Sequence, residues 1–320
     1  MGEFELINHY FAAAQCAQGG EGVALGIGDD CALLDLPPGE QLAVSTDTLV
    51  AGVHFPRVCD PGLLGQRSLA VAASDLAAMG ATPIAFTLAL TLPEVGEAWL
   101  RAFADGLDLM ARRCRLGLIG GDTTRGPLSI TVTVFGRVPA GQALRRSGAR
   151  PGDLLCVGGE LGNAAGALPL VLGEREAPNA LAQPLLDHYW SPSPQFALGQ
   201  LLRGRATAAL DISDGLLADC GHIAKASGVA LEVNLHQVPV SAALQGFVGP
   251  QAALQAAVAG GDDYVLAFTL PPGQLSSLQA QTPVHVLGRV LEGQGVSLRD
   301  RQGQDITPLQ RGYQHFRETP

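Results

Sequence analysis

The sequence predicts an α/β (α+β) protein of two domains, each built from a mixed sheet and helices. Three observations carry this. A chain of 320 residues is longer than one small core accommodates. Short apolar runs of strand character alternate with longer helical stretches in both halves. Pro139 to Gly152 is rich in Gly, Pro and Arg and lacks apolar periodicity, which marks a boundary. The expected division is residues 1–140, a linker at 141–152, and residues 153–320.

Taken in order, Glu3 to Ala17 reads as a short amphipathic helix. Gln41 to Thr46 reads as a strand that delivers Asp47 at its end. Pro61 to Met79 reads as a helix, with Pro61 near its start and Gly80 as its stop. One of its faces carries Ser68, Ala72, Asp75 and Met79. The surrounding alanines let another backbone come close, and an Asp on such a face needs a partner. Pro83 to Leu92 is β-like. Glu94 to Arg113 is a helix with a basic end, as the helix dipole prefers. Leu116 to Ile119 is a short buried strand running into Gly120-Gly121-Asp122, and Leu128 to Val138 alternates as a strand. In the second half, Asp153 to Val157 is a strand, followed by helices over Asn163 to Leu172 and Pro192 to Arg203. Ala206 to Leu210 is a strand ending at Asp211, and Asp214 to Ser227 is a helix. Val229 to Leu235, Val265 to Leu270 and Val284 to Val290 supply further strands.

Composition narrows the function. With 47% apolar and 16% charged residues the chain is a folded protein, and its 41 glycines predict tight turns. The formal net charge of -10 argues against a nucleic-acid partner, which needs a basic surface. It fits a protein that meets anionic substrates through bound cations. The six cysteines are scattered without zinc or Cys-x-x-Cys spacing, so they read as idle thiols of a reducing cytoplasm. The N-terminus carries no secretory pattern. The apolar stretch Leu69 to Leu92 is interrupted by Asp75 and Pro83, so no membrane span is expected.

Two familiar phosphate-binding patterns fail. Gly26-Ile27-Gly28 continues into Asp29-Asp30, which puts two carboxylates where a dinucleotide's pyrophosphate would lie. Lys225 is the only lysine and has no P-loop setting. What recurs instead is an Asp in a turn of small residues. This occurs at Asp29 and Asp30, at Ser45-Thr46-Asp47, at Ser74-Asp75, at Gly121-Asp122, at Asp211-Ile212-Ser213-Asp214 and at Gly261-Asp262-Asp263. Each alone is an ordinary surface turn. As a set, Asp29, Asp30, Ser45, Thr46, Asp47, Asp75, Asp122, Asp211 and Asp214 are hard oxygen donors with no His or Cys among them. Such a set suits Mg²⁺, which commonly bridges carboxylates to substrate phosphates. The chemistry this points to is phosphoryl transfer on a polyphosphate. Arg145 and Arg146 read as a solvated surface pair or, as a functional reading, as a pair of which one clamps phosphate oxygens. His54 is a candidate substrate contact. Gly312-Tyr313-Gln314-His315-Phe316 is either a docked tail or a platform for a flat heterocycle.

These motifs, in this order, resemble the thiamine-monophosphate kinase family. They are Gly-Ile-Gly-Asp-Asp-Cys-Ala at 26–32, Ser-Thr-Asp-Thr-Leu-Val at 45–50, Ser-Asp-Leu-Ala-Ala-Met-Gly at 74–80 and Gly-Gly-Asp-Thr-Thr at 120–124. Asp-Ile-Ser-Asp-Gly-Leu at 211–216, Gly-Asp-Asp-Tyr at 261–264 and the closing aromatic run complete the set. The wider superfamily includes aminoimidazole ribonucleotide synthetase and selenophosphate synthetase. The resemblance implies an aminoimidazole ribonucleotide synthetase-like fold and a homodimer whose sheet is built by the N-terminal domains, with ATP near that interface. It implies direct, Mg²⁺-dependent phosphorylation of thiamine monophosphate by ATP, giving thiamine diphosphate, the final step of its biosynthesis. Carried over by motif, Asp30, Ser45, Thr46, Asp47, Asp75, Asp122, Asp211 and Asp214 hold Mg²⁺, with Asp122 and Asp214 in the catalytic places. Gly121, Asp122, Arg146 and Ser213 contact ATP, and His54, Asp262 and Tyr313 contact thiamine monophosphate. Two positions depart from the family pattern: Asp262 stands for Glu, and Ala72 for Asn. Two rival readings stay open: another ATP-dependent enzyme of the superfamily, and a non-catalytic nucleotide-binding assembly protein.

Overall fold

The computed structural model describes residues 3–309, 312 and 313. Gln314, His315 and Phe316 of the closing aromatic run lie outside the described residues. The chain divides into two compact units. The first comprises Met1–Leu76, Ala81–Gly141 and Trp190–Phe196; the second comprises Ala77–Gly80, Gln142–Tyr189 and Ala197–Pro320.

The first unit contains α1 (Glu3–Leu6), β1 (Val23–Leu25), β2 (Leu33–Leu34), β3 (Glu40–Val50), α2 (Pro61–Ala78, to Leu76 in this unit), β4 (Thr82–Leu92), α3 (Glu97–Cys114), β5 (Gly117–Arg125) and β6 (Ser129–Pro139). Its sheet runs β3-β6-β4-β5, antiparallel except for the parallel β4–β5 pair. Helix α3 opens with Glu97, closes with Arg112 and Arg113, and is capped by Arg115 at φ 57. Close helix contact relies on glycine: a Cβ on Gly106 would lie 1.9 Å from the Gly62 carbonyl oxygen. Leu64, Leu69, Leu76, Phe86, Phe103 and Leu107 are fully buried. Each such side chain contributes about 1.5–3 kcal/mol of hydrophobic stabilisation.

Three local expectations change. The helix over Glu3 to Ala17 breaks into α1, a π turn and a 3₁₀ turn. Ala14 becomes extended (ψ 150), and the Cys16 N–H donates to Asp108 on α3 at 2.8 Å rather than continuing a helix. Asp47 lies inside β3, not at its end, because β3 and β6 pair residue by residue from Glu40–Pro139 to Val50–Ser129. Gly120-Gly121-Asp122 likewise lies within β5, whose pairing with β4 continues to Arg125.

The second unit contains β7 (Leu154–Val157), α4 (Asn163–Val171), α5 (Asn179–Trp190, to Tyr189 in this unit), α6 (Phe196–Leu202, from Ala197 in this unit), β8 (Ala208–Asp211), α7 (Leu216–Ser227), β9 (Ala230–Asn234), α8 (Ala242–Val248), α9 (Pro250–Ala259), β10 (Leu266–Leu270), α10 (Leu275–Gln279), β11 (His285–Leu291) and β12 (Gly295–Arg299). Its sheet order is β12-β9-β11-β7-β10-β8, with only β12–β9 parallel. Strands β7, β8 and β10 are buried on both faces. Leu155, Val157, Leu210 and Ala267 enter one core with Leu216, Ile223 and Ala257, whereas Cys156, Ala209 and Phe268 enter another with Leu202 and Leu278. This is the period-two alternation of a strand between two layers. The helix expected from Pro192 begins at Phe196, and the one expected from Asp214 begins at Leu216.

The cysteines are all unpaired. Burial pushes the thiols of Cys16, Cys114 and Cys156 up to about 12, so they are unreactive. Among the described residues no helix is long and apolar enough to cross a membrane.

Candidate active site

Each unit holds its own set of acidic groups. In the first, Gly26 to Asp30 forms the loop joining β1 to β2. Gly28 at φ 130 takes a left-handed conformation that suits glycine. Asp29 Oδ1 accepts the Asp30 N–H at 2.9 Å, so Asp29 shapes this turn, and both carboxylates are exposed. Val23, Ala32 and Leu34 pack on Ile84, Ala85 and Ile119, which seats the hairpin on β4 and β5.

Strand β3 supplies Ser45, Thr46 and Asp47. Ser45 and Asp47 share one face by alternation. The Ser45 hydroxyl donates to Asp75 Oδ2 on α2, which gives Asp75 the partner its helix face required. Thr46 shares a hydrogen bond with Thr133 across the strands at 2.9 Å. Gly121 on β5 is fixed as glycine, since a Cβ there would lie 1.9 Å from the Leu88 carbonyl oxygen. Asp122 follows it, exposed. Sheet order puts β3 and β5 at opposite edges. Three strand spacings of ~4.8 Å separate them, about 14 Å. Ser45 and Asp75 are therefore brought together in one chain, while Asp47 and Asp122 are held apart across the sheet. After β3, the Val50 N–H donates to His54 Nδ1 at 3.0 Å. That contact makes Nδ1 the acceptor and leaves the neutral ring's proton on Nε2.

In the second unit, the turn after β8 is a hub. Asp211 ends β8 and is buried. The carbonyl oxygens of Ile212, Ser213 and Asp214 accept the N–H groups of Tyr264, Asp262 and Tyr313 at 2.8, 2.8 and 3.0 Å. The N–H groups of Ser213, Asp214 and Gly215 all donate to Asp219 Oδ2 at 3.0, 3.0 and 3.1 Å. Two close approaches permit this. A Cβ on Gly261 would lie 2.3 Å from the Ser213 carbonyl oxygen, and one on Gly312 would lie 2.6 Å from that of Asp214. The structure thus gathers Asp211, Ser213, Asp214, Asp262 and Tyr313 around one backbone turn.

Asp262 and Tyr264 both have positive φ, 68 and 51, and the Tyr264 hydroxyl donates to Asp262 Oδ1 at 3.0 Å. Between them Asp263 turns inward, 1% exposed. Its Oδ2 accepts the Gly162 N–H at 2.7 Å at the start of α4. Its other carboxylate oxygen lies 3.6 Å from His188 Nε2, which is 3.1 Å from the Asp263 carbonyl oxygen. Arg146 is exposed, and its segment is stitched to the second unit. The Arg145 carbonyl accepts from Ala209 N at 2.8 Å, and that of Arg146 from the Ser227 hydroxyl at 3.2 Å.

Burial pushes two of these carboxylates up. Asp219 rises to about 7, with the charges of Asp214 and Asp211 adding to burial and the turn's N–H groups opposing it. Asp263 rises to about 8, chiefly by burial, against the N–H groups at the start of α4. Asp219 and Asp263 are the groups that sequence reasoning passed over. The signal for Asp219 was present: it is an acid on the helix face that carries Leu216, Cys220 and Ile223 into the core. Asp214, Asp219 and His222 also place ligand atoms within 4.8 Å of one another. One oxygen of Asp219 is already engaged by three amides, which makes this residue an anchor first.

The AIR synthase related protein family matches through its N-terminal domain at residues 28–138 and its C-terminal domain at residues 150–301. A thiamine-monophosphate kinase of Escherichia coli K12 is 45% identical over 321 residues, covering 98% of each chain. A crystal structure of thiamine-monophosphate kinase from Stenotrophomonas maltophilia K279a is 45% identical with a TM-score of 0.85, covering 93% of this chain and 96% of that one. A structure of AaThiL complexed with AMPPCP and TMP is 30% identical with a TM-score of 0.80, covering 88% and 89%. The chain therefore belongs to the AIR synthase related protein family and, within it, to the thiamine-monophosphate kinases.

Proposed function

We propose that this chain transfers the γ-phosphoryl group of ATP directly to the phosphate of thiamine monophosphate, releasing ADP and thiamine diphosphate. The observation that carries the reading is the turn at 211–215. Residues proposed for metal and ATP (Asp211, Ser213, Asp214) and residues proposed for the acceptor (Asp262, Tyr313) are hydrogen-bonded through that one piece of backbone. The relatives named as thiamine-monophosphate kinases, and AaThiL with AMPPCP and TMP, support the same substrates.

In the reaction, an acceptor phosphate oxygen attacks the γ-phosphorus, the bond to the β–γ bridging oxygen breaks, and ADP takes that electron pair. The donor set Asp30, Ser45, Thr46, Asp47, Asp75, Asp122, Asp211 and Asp214 is composed of oxygens alone, which fits Mg²⁺. Asp29 joins it only as the residue that shapes the Asp30 turn. Bound Mg²⁺ would neutralise the polyphosphate and the charge on the transferred group. Asp122 and Asp214 take the catalytic places. Gly121 lets the backbone approach the nucleotide, Ser213 binds it, and the exposed Arg146 guanidinium clamps phosphate oxygens. His54 presents Nε2–H to the acceptor phosphate. Asp262 and Tyr313 hold the thiamine portion.

The functional species we infer is a cytoplasmic homodimer. One face of the first unit's sheet shows Leu42, Val44 and Val50 at 43%, 54% and 36% exposure, with Thr46 and Thr48 between them on the same face. A second copy would cover this apolar surface.

The reading is tested with an acceptor panel. Purified protein with ATP and Mg²⁺ should consume thiamine monophosphate and form ADP in equal amounts. Faster ADP formation with a different phosphorylated acceptor would place the chain elsewhere in the superfamily. Tight ATP binding with no turnover would favour the assembly-protein rival.

A further inference from the structure

Asp219 stands out among the charged groups because nothing in the reaction as described uses it. It lies on α7, 4% exposed, on the face packed into the apolar core. A carboxylate there is costly unless donors meet it. Three meet it: the N–H groups of Ser213, Asp214 and Gly215 converge on one oxygen at 3.0–3.1 Å. Successive amides aimed at one point at a helix start form a concavity of the kind that binds anions. Here the chain fills that concavity with its own carboxylate. The same turn's carbonyls hold Tyr264, Asp262 and Tyr313. The turn is therefore fixed from both sides, its amides by Asp219 and its carbonyls by the acceptor-binding segments.

We propose that Asp219 is a positioning residue for phosphoryl transfer. By accepting these three N–H groups it fixes the backbone that presents Ser213 and Asp214 and, through the carbonyls, the segments that present Asp262 and Tyr313. It acts through hydrogen-bond geometry and does not touch the substrates. The proposal rests on the kinase reading above and deepens it.

The test compares D219A and D219N in the full-length protein. Displacing reacting groups by about 1 Å costs roughly 100-fold in rate. D219A, measured well below its melting temperature, should therefore lose roughly 10- to 100-fold in kcat/KM for both substrates. Amide exchange should quicken at 213–215 and stay unchanged in β10 and β11. D219N, whose side-chain oxygen can accept the same three N–H groups, should recover kcat/KM to within about fivefold and restore slow exchange. A folded D219A with kcat/KM within about threefold of the parent, or with unchanged exchange at 213–215, overturns the proposal. If D219A does not fold, D219N decides: kcat/KM below a tenth of the parent overturns it, and near-parent kcat/KM with slow exchange supports it. Amide exchange needs no turnover, so failure of the kinase reading would show separately, as a parent protein inactive on thiamine monophosphate.

Discussion

The Tyr264 hydroxyl donates to Asp262 Oδ1 at 3.0 Å across a loop in which both residues are left-handed. Left-handed backbone costs roughly 1–2 kcal/mol per non-glycine residue. Here it is held in place by N–H donation from Asp262 and Tyr264 to the 211–215 turn. The strained loop fixes the backbone, and the tyrosine aims the carboxylate. Removing the hydroxyl in Y264F should raise KM for thiamine monophosphate about fivefold or more, because the Asp262 carboxylate loses the donor that aims it, with kcat and KM for ATP little changed. Equal KM values in parent and variant would mean that Asp262 needs no aiming.

Gly261 tests the close approach. G261A puts a methyl 2.3 Å from the Ser213 carbonyl oxygen, a contact that backbone must yield to relieve. It should destabilise the protein by about 1–3 kcal/mol in urea unfolding. It should also lower kcat/KM by more than tenfold, because the turn that carries Asp214 moves. A variant as stable and as active as the parent would show that the loop and turn are not coupled.

The unit-1 acids test the metal set. D75N keeps the shape at Ser45 but removes a charge, and D122N does the same at the opposite edge of the sheet. Each should lower kcat more than 100-fold while leaving the melting temperature within a few degrees, since surface or half-buried charge removal rarely costs much stability. Near-normal turnover in both would mean that the cations are held elsewhere.

Asp263 predicts a pH dependence of stability. Its folded value is raised to about 8 against an ordinary 3.8, so between those values the folded protein holds a proton that the unfolded chain has released. Stability from this group is fully present below about pH 4 and is lost as pH rises toward 8. The groups facing it are His188 at 3.6 Å and the neighbouring Asp262. D263N keeps a hydrogen-bond acceptor for Gly162 and has no proton to lose. In urea unfolding from pH 5 to 8.5, the parent's midpoint should fall relative to that of D263N. Parallel curves would contradict the raised value. Asp219, raised in the same direction to about 7, leaves a residual slope in both proteins.

Much of this site was legible in the sequence because Gly, Ser, Thr and Asp announce themselves in pattern. Asp75 lies on its expected helix and Asp211 at the end of its expected strand. What was illegible depends on pairing between distant segments. Asp47 and Asp122 read as turn residues because Ser-Thr-Asp and Gly-Gly-Asp have turn composition, yet β6 and β4 carry them inside strands. Helix α5 escaped because Pro184 interrupts its interior. Asp263 looks like its neighbour Asp262 until burial singles it out, whereas Asp219 was marked only by its place on the apolar face of α7.

The central claim is direct phosphoryl transfer to thiamine monophosphate, and one product analysis tests it. Purified protein is incubated with ATP labelled on the γ-phosphate, Mg²⁺ and thiamine monophosphate, and the products are separated. The account predicts labelled thiamine diphosphate in a one-to-one ratio with ADP, with the label in the terminal phosphate and none on the protein. No thiamine diphosphate at saturating substrates would contradict it.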